Sequence, residues 1–168
     1  MDEVREIKCE VEAFDKLTHD TRLIRLTLSE GPPLAFKAGQ YAKVVYPNDV
    51  EKYYSIASLP GDNGIEFHIR RSGDGESSSH YVLDQLSIGD RVMVTAPMGS
   101  SYFRDEHTGP ILCVAGGSGM APIRSIAETA IAKDGAREVH LYFGVRDERD
   151  IYFEERFSEL ARSHANFH

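Results

Sequence analysis

Ile111-Leu112-Cys113-Val114-Ala115-Gly116-Gly117-Ser118-Gly119-Met120-Ala121-Pro122 is the stretch whose reading decides the fold. Five apolar residues in succession predict a strand buried on both faces, as in a parallel sheet. The glycines predict a tight turn, and Pro122 suits the first turn of a helix. From there the apolar residues fall at Ile123, Ile126, Ala127, Ala130 and Ile131, one helical face. Asp134-Gly135 stops that helix. Glu138 to Phe143 predicts a second strand, and Gly144 to Asp150 a polar loop. Phe153, Phe157, Leu160 and Ala161 mark a second helix. The order β-α-β-α opens a doubly wound parallel sheet, whose third strand is due at Phe167-His168.

Upstream the periodicity is two, not 3.6. Strands are predicted over 4–14, 21–28, 41–46, 52–58, 65–70 and 91–96. Gly31-Pro32-Pro33, Pro47-Asn48-Asp49, Pro60-Gly61-Asp62-Asn63-Gly64 and Gly89-Asp90 punctuate them. Ile65, Phe67 and Ile69 share one face of the fifth strand, and Glu66, His68 and Arg70 the other. A small polar loop, Ser72 to Ser79, precedes a short helix at His80 to Leu86. Six strands at this spacing suggest an antiparallel barrel with that helix plugging one end. The fold class is therefore α+β with two domains. Residues 1–106 form a six-stranded antiparallel β-barrel, and 107–168 form the first half of a doubly wound α/β domain.

Composition narrows the function. The 168 residues are 41% hydrophobic and 27% charged, enough for a packed core. A net charge of -8 argues against a nucleic-acid or anionic-membrane binder, since both need a basic face. No apolar run approaches the roughly 20 residues of a membrane helix, and the acidic start lacks a signal segment. A cytoplasmic location is the expectation. Cys9 and Cys113 read as reduced core thiols. Two cysteines cannot supply the four thiolates of an ordinary iron–sulfur cluster, and no metal ligands are assigned.

Two stretches carry chemistry. Lys52-Tyr53-Tyr54-Ser55-Ile56-Ala57-Ser58 joins a cation, rings and hydroxyls at strand spacing. Lys52 and Tyr54 point one way, and Tyr53 and Ser55 the other. Such a pair can set a phosphate partner beside a stacking ring. The plainer reading is ordinary barrel packing. The glycine turn at 116–119 lets backbone amides approach a pyrophosphate, although it lacks the full G-x-G-x-x-G spacing.

The first stretch resembles the Arg-x-Tyr-Ser-x-x-Ser motif of the ferredoxin–NADP reductase superfamily, of the oxygenase-reductase type. The second resembles that family's Gly-Gly-Thr-Gly-x-Ala-Pro motif, with Ser118 in place of threonine. Ala38-Gly39-Gln40-Tyr41 looks like the family's entry to the third strand, and the order of elements is also similar. The resemblance implies a flavin-binding barrel followed by a nicotinamide-binding domain. The cofactor would be FAD, with FMN the alternative, and NAD(P)H the substrate. Electrons would pass to an iron–sulfur protein or another one-electron acceptor. By resemblance, Lys52 contacts the flavin diphosphate, Tyr54 stacks on the isoalloxazine and Ser55 bonds near N5. Tyr54 and Ser55 are thus the candidate catalytic residues, with Tyr53 beside them. Lysine in place of arginine supplies charge without the bidentate fork.

Gly73, Gly75 and Ser77 to Ser79 resemble the family's phosphate-binding Gly-x-x-Ser segment, with Ser78 and Ser79 the chosen contacts. The plainer role is helix capping. His68, Ile69 and Arg70 resemble the stretch running beside the flavin diphosphate, although Arg70 equally suits a solvated strand face. Gly116, Gly117, Ser118, Gly119 and Pro122 would hold the dinucleotide. Arg146 could meet a ribose 2′-phosphate, but Asp147, Glu148 and Asp150 crowd it, leaving NADH and NADPH both open. The family continues beyond this point to a Cys-Gly-Pro-Pro segment not present in this chain. Three explanations compete: a longer reductase cut short, a fragment completed by another chain or by self-association through the incomplete sheet, and a flavin-binding or regulatory module without hydride transfer. The first is preferred.

Overall fold

The computed structural model describes residues 3–71, 78–133 and 135–168. The first part carries β1 (Arg5–Lys16), β2 (Thr21–Leu28), β3 (Tyr41–Val45), β4 (Glu51–Ser55), β5 (Ile65–Arg70), the short helix α1 (Ser78–Asp84) and β6 (Arg91–Met98). These strands form one antiparallel sheet in the order β4-β3-β6-β1-β2-β5. The sheet nearly closes on itself. Ala57, just past β4, donates its N–H to the Glu66 carbonyl of β5 at 2.8 Å. Alternation explains the core. Ile7, Cys9 and Val11 of β1 meet Ile65, Phe67 and Ile69 of β5 in one buried cluster, which Val82, Leu83 and Leu86 from the α1 region plug.

The second part contains β7 (Ile111–Gly116), a 3-10 turn at Gly117–Gly119, α2 (Met120–Lys133), β8 (Val139–Gly144), a 3-10 turn at Glu148–Asp150 and α3 (Glu154–Ser163). β7 and β8 pair in parallel, in register from Ile111↔Val139 to Gly116↔Gly144. Where a third strand is expected, an isolated parallel bridge forms beside the two-stranded sheet. Phe167 bridges Val139, and Leu141 donates its N–H to the His168 carbonyl at 2.8 Å.

One face of this sheet is packed. Cys113, Ala127, Ala130, Ile131, Val139, Leu160 and Phe167 share a cluster with Ala38 and Phe103 from the preceding part. The other face corrects the expectation of a strand buried on both sides. Leu112 is 69% exposed and Val114 63%, with Tyr142 opposite Val114 also exposed. A continuous apolar run specifies two faces that want cover, and the described residues supply a layer for only one.

The two parts are bonded to each other. The buried Ser125 hydroxyl of α2 donates to the Ser58 carbonyl at 2.7 Å. Gly39 needs to be glycine twice over. Its φ is +104, and a Cβ there would lie 2.9 Å from both the Ser101 carbonyl and Ile126 Cδ1.

Candidate functional site

The outer face of β5 makes the site. Ile65, Phe67 and Ile69 point into the barrel, so Glu66, His68 and Arg70 face the second part of the chain. Glu66 accepts from Arg25 Nη2 at 2.7 Å and from Arg124 Nη1 of α2 at 2.9 Å. Arg124 Nε reaches Glu128 at 3.1 Å, and Arg156 of α3 reaches the same carboxylate at 2.8 Å. This alternating chain of charges ties barrel, α2 and α3 together. Burial would raise the Glu66 pKa, but the Arg25 hydrogen bonds and the Arg124 charge outweigh it and hold the carboxyl below its usual 4.5.

His68 is 4% exposed. Its Nδ1 lies 3.3 Å from the Tyr152 hydroxyl, which donates to the Gly117 carbonyl at 3.0 Å. Burial, helped by the Arg124 charge and opposed by Glu66, lowers the His68 pKa to about 3. The imidazole is therefore neutral at physiological pH. Phe153 and Tyr152 both lie near its ring, at 5.5 Å between centroids.

Arg70 Nε donates to Asp20 Oδ2 at 2.7 Å, so its strand face is paired rather than merely solvated. Its guanidinium also stands over the glycine turn, where a Cβ on Gly117 would meet Nη1 at 3.3 Å. Gly117 has φ +52, as the turn requires, whereas Cβ atoms on Gly116 and Gly119 would meet nothing closer than 3.9 Å. A cleft of about 440 Å³ opens here between the β1–β2 hairpin and the glycine turn. Arg70, Gly116, Gly117, Ser118, Arg146 and Tyr152 are among its lining residues. Arg146 is exposed and makes no ion pair among the described residues, while Asp147 accepts the Arg149 N–H at 3.2 Å. A turn with open space before it, two guanidiniums and the head of a 14-residue helix fits a phosphate-bearing ligand.

The β4 residues do not line this cleft. Tyr53 is 59% exposed and meets Tyr41 edge-on at 6.1 Å. Lys52, Tyr54 and Ser55 are half-buried. Tyr54 leans on Phe67 at 5.6 Å, and burial raises its pKa. Its hydroxyl is buried near Tyr46 yet forms no hydrogen bond of good geometry among the described residues. Lys43 pairs with Glu51 at 3.2 Å, whereas Lys52 has no carboxylate partner among the described residues. A cation without a carboxylate partner among the described residues, beside a half-buried tyrosine ring on the same strand face, suits a ring that carries phosphates. Ile69 is buried in the core, so only its backbone is available to a ligand. Ser79 is buried at the start of α1, and Pro122 lies in the first turn of α2. Gly73, Gly75 and Ser77 fall outside the described residues, as does the side chain of Ser78. Burial pushes the Cys9 and Cys113 thiols up to about 11, in keeping with core roles.

Sequence reasoning missed Asp20, Tyr152 and Arg124. By sequence, the second helix's apolar face begins at Phe153 and Tyr152 is given no role. The only sequence signal was a tyrosine flanked by Ile151 and Phe153; the structure shows it 6% exposed, where its hydroxyl needs a partner.

A barrel with this strand order, followed by a glycine turn on a parallel strand, is the architecture of a flavin- and nicotinamide-dependent oxidoreductase. The chain matches the model of the oxidoreductase FAD-binding domain over residues 8–103 and that of the oxidoreductase NAD-binding domain over 113–168. The chain belongs to the ferredoxin–NADP reductase-like superfamily, oxygenase-reductase type. It is 45% identical over 162 residues to the ferredoxin–NAD(P)+ reductase component of naphthalene 1,2-dioxygenase/salicylate 5-hydroxylase systems from Ralstonia sp., covering 96% of this chain and 48% of that protein. It is 38% identical to the reductase subunit of an aromatic O-demethylase from Amycolatopsis sp., covering 98% and 50%. Among solved structures, an Amycolatopsis cytochrome P450 reductase superposes with TM-score 0.92 at 37% identity, over 100% of this chain and 51% of that one. A phthalate dioxygenase reductase superposes with TM-score 0.83 at 28% identity, over 97% and 51%. The chain spans about half the length of the curated relatives it matches.

Proposed function

We propose that this chain holds FAD and receives NAD(P)H as part of a reductase serving an iron–sulfur protein or another one-electron acceptor. The observation that carries this reading is the cleft where Arg70 of the barrel stands over Gly117 of the turn. A site that brings flavin and nicotinamide together must lie where the two parts of the chain meet. The relatives are named as reductase components of oxygenase systems, which supports the direction of electron flow.

In this reading the Tyr54 ring takes one face of the isoalloxazine, and Ser55 offers a hydroxyl near N5. Lys52 neutralises phosphate, with Arg70 and the α1 serines assisting. The amides of Gly116 to Gly119 and the Arg146 guanidinium receive the dinucleotide. Bound FAD supplies the conversion between hydride and single-electron transfer, while the protein positions and tunes it. No side chain needs to act as acid or base.

Two experiments test the reading. Tyr54→Ala should weaken FAD binding about tenfold, the value of one lost stacking contact, while Tyr54→Phe stays near the native affinity. Unchanged affinity in Tyr54→Ala refutes the stacking role, and a thermal melt separates it from lost packing against Phe67. Anaerobic addition of NADH and NADPH to the FAD-loaded chain should bleach the flavin. Binding of FAD without bleaching by either nucleotide would instead favour a flavin-holding module.

A further inference from the structure

We infer that Tyr152 and His68 are positioning residues for the dinucleotide. Together they form a relay from the barrel that fixes the orientation of the Gly117–Ser118 peptide. The inference rests on the dinucleotide reading of the glycine turn, but its geometry stands on its own.

Tyr152 has one hydroxyl proton, and it goes to the Gly117 carbonyl at 3.0 Å. The hydroxyl oxygen must then accept from His68, 3.3 Å away. That assigns the imidazole proton to Nδ1 and leaves Nε2 as an acceptor. Nε2 is buried and has no hydrogen-bond partner among the described residues. The tautomer is therefore chosen by the Tyr152 bond alone.

The Gly117 carbonyl accepts a second bond, from the Met120 N–H at the head of α2. Held by two donors, the peptide plane between Gly117 and Ser118 cannot rotate freely. In a trans peptide the carbonyl and the following N–H point in opposite directions. The Ser118 N–H therefore points away from Tyr152. Lying in the three-residue 3-10 turn that leads into α2, it precedes the helix and has no acceptor within it. This is the kind of amide that a phosphate or carboxamide oxygen takes up, and Ser118 lines the cleft.

The chain accepts backbone strain to keep this arrangement. Phe153 adopts φ +63, a left-handed conformation that bulky residues avoid. That turn keeps the Tyr152 and Phe153 rings both against His68, with the buried Tyr152 ring meeting Phe143 and the half-buried Phe153 ring meeting Phe157. A helix start without such a constraint would use an ordinary capping residue, and Phe153 makes no side-chain cap.

The test has two arms. In the ligand-free chain, ¹⁵N resonances of His68 should show the Nδ1–H tautomer. Tyr152→Phe should convert it to a mixture and move the Ser118 amide resonance. A native His68 protonated at Nε2, or a Ser118 amide indifferent to Tyr152→Phe, overturns the relay. In the FAD-loaded chain, Tyr152→Phe should weaken NADH binding about tenfold, the usual cost of one hydrogen bond, with FAD affinity unchanged. His68→Gln, which retains an N–H donor, should recover most of the native affinity, whereas His68→Leu should match Tyr152→Phe. Equal NADH affinity in native and Tyr152→Phe overturns the positioning role. A native chain that binds FAD but neither NADH nor NADPH overturns the dinucleotide reading and the positioning role with it, while the ligand-free arm still decides the relay.

Discussion

Glu66→Ala should lower the unfolding free energy by about 3 kcal/mol, the low end of what breaking a buried ion pair costs. Glu66 bridges Arg25 and Arg124, the only carboxylate to do so among the described residues, and its side chain is 12% exposed. Removing it leaves Arg124, itself 18% exposed, with Glu128 alone. Arg25 is 37% exposed and can turn to water, which is why the estimate stays at the lower bound. Because Glu66 lies on β5 and Arg124 on α2, the loss should also loosen the two parts from each other. Urea unfolding of both proteins reads the change, and a difference within error would show that the network contributes no net stability. Acid should reproduce the effect. The folded carboxyl is held below 4.5, so its contribution is present above that pH and fades as the pH falls through the depressed folded value.

Acidification from pH 7 to 5 should cost about 2 kcal/mol of stability through His68 alone. Burial lowers its folded pKa to about 3, with Arg124 adding to the effect and Glu66 opposing it, against an ordinary 6.5. Between those values the unfolded chain takes a proton that the native state refuses. The native state is therefore favoured at high pH, and the advantage disappears as pH falls from 6.5 toward 3. His68→Gln cannot titrate. The difference between the two proteins in stability change from pH 7 to 5 isolates this residue from the other histidines. Equal slopes would mean that His68 takes its proton in the folded state as readily as in the unfolded one. The pH windows keep the two predictions apart, since the Glu66 loss begins only below about pH 4.5.

Much of the architecture was legible because period-two patterning fixes which side chains share a face. Ile65, Phe67 and Ile69 could be assigned to the core, and Glu66, His68 and Arg70 to the opposite face, without any structure. What that opposite face touches was not legible. Arg124 is 58 residues from Glu66, and Tyr152 is 84 from His68, so no local pattern connects them. The strand at 111–115 was misread for a related reason. An apolar run reports what a strand could bury, whereas Leu112 and Val114 are exposed because the described residues put helices on one side only. At the candidate site, Arg70, which the sequence reading sets beside the flavin diphosphate with the β4 residues, stands instead with the residues of the glycine turn. Arg70, Gly116 to Ser118 and Arg146 converge on one cleft, while Lys52, Tyr54 and Ser55 occupy β4 away from its lining. Convergence depends on how the barrel seats against the turn, which the Ser125–Ser58 bond and the Glu66–Arg124 pair establish.

The central claim is that this chain binds a flavin, and titration of FAD into the purified, ligand-free chain tests it most directly. The account predicts saturable uptake of one FAD per chain, with a change in the flavin's visible spectrum and a weaker response in Tyr54→Ala. A folded chain that stays colourless after excess FAD, and equally after FMN, would contradict it.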